Sequence, residues 1–426
     1  MTRISTVALA LLLLCTTAFA KPIPETRAER VNMSSERLTV VDDLMEQYVD
    51  NKQLAGIVTL VARDGKIVQY KAYGQKGADD PRPMGKTDLF RIYSMSKPIT
   101  AAAAMQLYEK GKFRLSDPVT KFVPELKDMK VRLDDGSLVD VERPMTMLQL
   151  LTHTAGLGYG LNQRHPTEKM YADAKLFEAK DLDEFAERVG KLPLRYQPGD
   201  RWHYSVAVDI TGLVVQRISG QPFDEYLAEH IFKPLGMEDT FFEVPADKVD
   251  RFLPNHYYDR KNAKLVTIDE SPGAAMRDYK KVTLFSGGGG LISTAMDYLR
   301  FAEAMRRGGE LDGNRILGAK TVNFMASNHL PTSLGSVGSG EQPTQVFNRG
   351  GTGFGLGFSV VVDPVATSAL GSQGEFSWGG AAGTVFWIDP VEQIVVVGMI
   401  QLMASPFPLR DDLRVGTYQA ITKTYE

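Results

Sequence analysis

Cysteine is all but missing from this chain: Cys15 is the only one in 426 residues. It lies in the N-terminal segment, so a chain cut after Ala20 holds none. That excludes a disulfide framework, a thiol nucleophile and a thiolate metal site. Histidine is scarce too. The six present (His153, His165, His203, His230, His256 and His329) fall in no His-x-x-x-His or carboxylate-spaced cluster. No metal and no other cofactor is therefore expected. A net charge of −3, with no long run of one sign, argues against a nucleic-acid surface or a polybasic membrane patch. No stretch beyond the first twenty residues is long and apolar enough to cross a bilayer. Gly-x-Ser-x-Gly occurs nowhere, which disfavours an α/β-hydrolase elbow. The run Gly287–Gly290 lacks the Lys-Ser/Thr of a phosphate-binding loop.

What is present begins with a leader. Arg3, an apolar run from Val7 to Cys15, and Ala18-Phe19-Ala20 have the form of a signal peptide cleaved after Ala20. The mature chain is thus expected to be secreted or periplasmic, with no transmembrane segment. Residues 21–37 read as loosely ordered. Leu38, Val41, Leu44, Met45 and Tyr48 then form one stripe of a helix from Leu38 to Val49. Gly56–Ala62 and Lys66–Tyr70 read as a hairpin closed by Asp64-Gly65.

Residues 112–282 alternate loops with short helices: one from Thr146 to Leu151, one from Asp209 to Ile218, and one from Phe223 to Phe232. After about residue 283, Ser293 or Thr294 can cap a helix from Ala295 to Arg306. Strands follow at Gly357–Val362, Gly383–Ile388 and Gln393–Gln401, while 159–180 and 331–355 read as polar loops. The fold class expected is α+β: an antiparallel sheet built from both ends of the chain, flanked by helices, with a mostly helical lobe inserted. One catalytic domain would cover 38–420, with an α/β lobe from 38–111 and 283–420 and the insertion at 112–282.

Chemistry is carried by short signals in order. Ser94-Met95-Ser96-Lys97 places a hydroxyl and an amine one helical turn apart. A serine nucleophile with a lysine base needs that spacing. The stretch that follows, Ile99 to Leu107, is almost free of charge and holds four consecutive alanines, the mark of a buried central helix. Tyr204, in Trp202-His203-Tyr204-Ser205-Val206, can shuttle a proton. Trp378-Gly379-Gly380-Ala381 joins a large aromatic to residues small enough for a substrate carbonyl to approach the backbone. A backbone N–H there, with that of Ser94, can form an oxyanion hole. His153 would complete a Ser-His-Asp triad only if it reached Ser94, and reads as structural.

Together these motifs resemble the serine β-lactamase-like superfamily, the penicillin-binding-protein or transpeptidase-like group. The nearest branches are the class C β-lactamases and the family VIII carboxylesterases. Leu150–Leu157, Pro198-Gly199, Pro234-Leu235-Gly236-Met237 and Gly287–Leu291 belong to the same resemblance. It implies Ser94 as the acylated nucleophile, Lys97 as its base and Tyr204 as its proton-transfer partner. The amides of Ser94 and Ala381 would form the oxyanion hole, and Trp378, Gly379, Gly380 and Val206 would line the substrate site.

Two departures separate the chain from the β-lactamases of that branch. Their Tyr-x-Asn is here Tyr204-Ser205-Val206, and their Lys-Thr-Gly is here Trp378-Gly379-Gly380. Losing a charge-assisted contact costs about 1.5–3 kcal/mol, or roughly ten- to a hundredfold. The expected substrate is a small neutral ester, with an amide as the other acyl donor. β-Lactamase, D-amino-acid peptidase or transpeptidase activity and acyl transfer remain alternatives, with an inactive cell-wall-binding relative the last. The sequence leaves the oligomeric state open.

Overall fold

The computed structural model describes residues 21–268, 279–331, 334 and 350–425. The leader expected at 1–20 and most of the loop expected at 331–355 lie outside them.

Seven antiparallel strands form the main sheet. Across it they run Thr352–Phe354, Ser359–Val361, Phe376–Gly379, Val385–Asp389, Ile394–Met399, Gly56–Arg63 and Lys66–Gly74. The N-terminal hairpin joins the C-terminal strands in the middle of the sheet, where Val58 faces Met399 and Leu60 faces Val397. Asp64 and Gly65 turn the hairpin with φ of 53° and 69°, the left-handed pair that a type I′ turn requires. Strand alternation then sorts the side chains. Val58, Leu60 and Ala62 enter the large central core. Ile57 and Val61 enter a second core on the opposite face, with Trp387 and Val396.

That second core is closed by helices from both chain ends. Ser34 caps the helix Ser35–Asp50, which buries Leu38, Val41, Met45 and Tyr48. Leu409–Tyr418 packs beside it through Leu409 and Leu413. The other face carries Ala295–Arg306, capped by Thr294, and behind it the central helix Ser96–Glu109. Every residue of the central helix from Ser96 to Leu107 is buried. Its alanines let Ala207–Ser219 pack closely against it.

Several expectations need correction. Residues 21–37 are tied down: Glu25 bridges to Ile67, Met33 bridges to Ile421, and Ala28, Val31 and Met33 are buried. Within 159–180 lie a helix, Pro166–Asp173, and a 3₁₀ turn, Leu176–Glu178. The described end of 331–355 contains the edge strand Thr352–Phe354. The helix expected over 223–232 is α-helical only for Phe223–Leu227 and widens to a π turn at Ala228–Phe232. Three further helices had not been expected: Leu182–Gly190, capped by Asp181, Ala319–Met325 and Leu409–Tyr418.

Candidate active site

Ser94 sits in the one-turn segment Tyr93–Met95 that leads into the central helix. Tyr93 adopts φ of 45°, a conformation that is costly for a bulky residue and recurs at functional sites. Its hydroxyl is held by Asn255 Nδ2. This turn leaves Ser94 half-buried, while Lys97, one helical turn on, has no exposed surface.

Two polar groups converge on the Ser94 hydroxyl. Lys97 Nζ lies 3.2 Å from Ser94 Oγ, and Tyr204 OH lies 2.6 Å from the same atom. Lys97 also donates to Gly288 O at 2.6 Å. Among the described residues no carboxylate forms an ion pair with it. Its Nζ instead lies 4.5 Å from the Tyr204 ring centre and 5.4 Å from that of Tyr159, within cation–π range.

The loop 286–290 that supplies Gly288 is wedged between the two core helices. Thr100 Oγ1 donates to Gly287 O, and Asp209 accepts from Gly288 N–H. A side chain at Gly288 would fall 2.3 Å from Asp209 Oδ2, so only glycine fits there.

Tyr204 is held from behind. His203 Nε2 lies 2.9 Å from Glu168 Oε1, and both residues are buried. Glu168 also accepts from the amides of Gly160 (2.7 Å), Leu161 (3.1 Å) and Tyr159. One buried carboxylate thus ties the Tyr159 loop to the residue before Tyr204. The His203 contact and these amides oppose the upward push of burial and hold the Glu168 carboxyl below its ordinary value.

His153 lies under this platform. Its Nδ1 is 3.2 Å from Ser205 Oγ, and its ring packs 4.8 Å from Tyr204. Burial first, and the Lys97 charge second, hold its pKa well below 6.5, so it is a neutral packing group.

The small-residue strand closes the other side. Trp378 packs 5.7 Å from Tyr204 and edge-on to Phe354. A Cβ at Gly380 would lie 2.5 Å from Ile92 O, so glycine lets this turn close on the approach to Ser94. Ala381 is exposed at the tip of the turn. Gly379 faces away, and a Cβ there would meet the Arg410 guanidinium, which binds Gly380 O and Thr384 O.

Ser94, Lys97, Tyr204, Trp378 and Gly380 are therefore brought together. Val206 is a correction: it has no exposed surface, its side chain joins the central core, and its amide is bound to Gly158 O. Sequence reasoning missed Tyr159, Phe354, Glu168 and Asp209. Asp209 left a signal, a lone carboxyl in the apolar run Ala207–Val215. Tyr159 and Phe354 left none, because only the fold brings their loop and edge strand to the site.

The β-lactamase family model matches residues 41–419 of the chain. The chain belongs to the β-lactamase family. Esterase EstB of Burkholderia gladioli is 32% identical over 367 residues, 82% of this chain and 86% of that protein. An uncharacterised protein of Mycobacterium tuberculosis is 35% identical over 364 residues, 84% of this chain and 88% of that one. Among solved structures, EstCE1, described as a hydrolase with promiscuous acyltransferase activity, is similar with a TM-score of 0.75 and 27% identity. The match covers 90% of this chain and 99% of EstCE1. The expected superfamily and fold class are borne out, and the esterase relatives support a hydrolase. Among the described residues, no helix of this family member is long and apolar enough to cross a membrane, and no cluster of His, Cys, Asp or Glu is arranged to hold a metal ion.

Proposed function

We propose that this chain is an exported serine hydrolase that cleaves small carboxylic esters through an acyl-Ser94 intermediate. The observation that carries the reading is the placement of Lys97 Nζ and Tyr204 OH at 3.2 and 2.6 Å from a single serine oxygen. Ser94 Oγ attacks the ester carbonyl as its proton passes to Lys97, with Tyr204 assisting. The tetrahedral oxyanion is received by the amides of Ser94 and Ala381. The carbonyl re-forms, the C–O bond to the alcohol breaks, and the alcohol leaves with a proton returned through Tyr204. Water then repeats the sequence on the acyl-serine and releases the acid.

Neutral esters are favoured over carboxylated β-lactams for one main reason. The side chain opposite Tyr204 is the indole of Trp378, which offers an apolar wall where a lysine would receive a carboxylate. Acyl transfer differs only in the acceptor, an alcohol in place of water. In this reading the leader at 1–20 directs export and is cleaved after Ala20. The domain at 38–420 comprises an α/β lobe (38–111 and 283–420) and a helical insertion (112–282), with the site at their junction.

The test is a side-by-side assay of the mature chain on a short-chain p-nitrophenyl ester and a chromogenic cephalosporin, with Ser94→Ala as control. Strong Ser94-dependent ester turnover with slow cephalosporin turnover is expected. Fast cephalosporin turnover would overturn the ester preference.

A further inference from the structure

Asp209 is buried without any exposed surface, in the first turn of the helix Ala207–Ser219. Its Oδ1 accepts from Ser286 Oγ and, at 3.1 Å, from Gly288 N–H. Among the described residues its Oδ2 has no hydrogen-bond partner. Among the described residues no cation pairs with it. A buried carboxyl group with an unpartnered oxygen costs free energy that an apolar residue at this position would avoid. The rest of the helix from Ala207 to Val215 is apolar apart from Thr211, whose hydroxyl bonds back to Ala207 O. Departures of this kind from local rules concentrate at functional sites.

What Asp209 holds is informative. Gly288 receives Asp209 on its amide and Lys97 Nζ, at 2.6 Å, on its carbonyl. One residue therefore transmits the position of the carboxyl to the position of the amine. The adjoining Gly287 carbonyl is fixed at 2.8 Å by Thr100, which lies one turn beyond Lys97 on the same helix. The loop thus rests on two helices, and among the described residues Asp209 is its only side-chain anchor on the second. Lys97 needs such a fixture, because four rotatable bonds separate its amine from the backbone and no carboxylate draws it into place.

We propose that Asp209 is a positioning residue for the reaction at Ser94: by holding Gly288, it sets Lys97 Nζ against the Ser94 oxygen. The proposal rests on the acyl-Ser94 reading above. It assigns Asp209 no contact with substrate. Loss of the anchor lets the Gly288 carbonyl and Lys97 Nζ drift together, and a misplacement of about 1 Å costs about 10²-fold in rate.

The test measures the rate at which a fluorophosphonate labels the full-length mature chain, together with ester kinetics and thermal melting. Labelling of the wild type and none of Ser94→Ala establishes the nucleophile. Labelling that survives Ser94→Ala overturns the acyl-Ser94 reading and the proposal with it. With the nucleophile established, Asp209→Asn is expected to label about 10²-fold more slowly, with kcat falling in parallel and KM within about twofold. In a Lys97→Ala background the same change is expected to cost nothing further, because its effect runs through Lys97. An Asp209→Asn enzyme that labels within threefold of wild type, or that costs the same factor with and without Lys97, overturns the positioning role and leaves the nucleophile standing. If Asp209→Asn does not fold, Ser286→Ala decides. It removes the bond that orients the Asp209 carboxyl, so slower labelling at unchanged KM supports the proposal and wild-type labelling overturns it.

Discussion

Tyr204 and Tyr159 stack face to face, with ring centres 5.3 Å apart and planes 13° from parallel. Tyr204 carries the hydroxyl that touches Ser94, and Tyr159 backs its ring from the loop before the helix Pro166–Asp173. The pair fixes the Tyr204 ring in two directions, since Trp378 meets it from the strand side. Stacked pairs contribute about 0.5–1.5 kcal/mol beyond their area. Tyr159→Phe should therefore keep near wild-type ester turnover, whereas Tyr159→Ala should lose about two- to tenfold in kcat/KM. Equal loss in both variants would mean that the Tyr159 hydroxyl, not its ring, matters.

Tyr204→Phe separates the hydroxyl from the ring. The stacking partners remain, so the melting temperature should stay near that of wild type. Ester kcat should fall about 10²–10⁴-fold, the usual worth of a positioned proton-transfer group. Retained turnover at neutral pH would remove Tyr204 from the mechanism.

The motifs were legible because they are local. Ser94 and Lys97 lie on one helical turn, and the capping residues Thr146 and Thr294 sit where their helices begin. The hairpin turn at Asp64-Gly65 and the apolar runs of the inner strands gave the sheet. Elements that depend on distant partners were not legible. Leu182–Gly190 and Leu409–Tyr418 are short and heavily charged on one side, so they resemble loops until a core is present to receive the other side. Residues 21–37 look unstructured because their order comes from bridges to Ile67 and Ile421. Val206 was placed at the substrate site by motif position alone, and no contact with Ser94, Lys97 or Tyr204 is seen for its side chain among the described residues, where it packs into the central core. Glu168 was not singled out, because nothing local marks a carboxylate that will collect three loop amides and a histidine.

That carboxylate gives a stability prediction. A buried donor left without an acceptor costs about 1–3 kcal/mol. Glu168→Ala should lose that much by urea denaturation, and should also lower ester kcat, since the Tyr159 loop and His203 would both be released. A loss under about 1 kcal/mol would show that the amides find other acceptors.

Asp297 sets a pH dependence with a definite sign. It accepts from Asp239 N–H and from the Thr240 hydroxyl, and burial pushes its pKa from 3.8 up to about 6. The folded chain therefore holds a proton that the unfolded chain has already lost between these values. The stabilisation is fully present below about pH 3.8 and is lost as pH rises through about 6. Asp297→Asn keeps an acceptor oxygen and cannot ionise. The difference in melting temperature between pH 5 and pH 8 should be smaller in this variant than in wild type. An unchanged difference would assign the pH dependence elsewhere.

Gly380→Ala tests the turn beside Ser94. The added Cβ would fall 2.5 Å from Ile92 O, so the turn that carries Ala381 must move away. Loss of one oxyanion donor costs about 10²–10³-fold in kcat. The expected outcome is a drop of that order with KM little changed, and unchanged kcat would exclude the Ala381 amide from the oxyanion hole.

The most direct measurement is the mass of the enzyme quenched during turnover of a slowly deacylating ester. The account predicts one added acyl group in the wild-type chain, mapped to the peptide containing Ser94, and no added mass in Ser94→Ala. An adduct on any other residue, or steady ester turnover by Ser94→Ala at the wild-type rate, would contradict it.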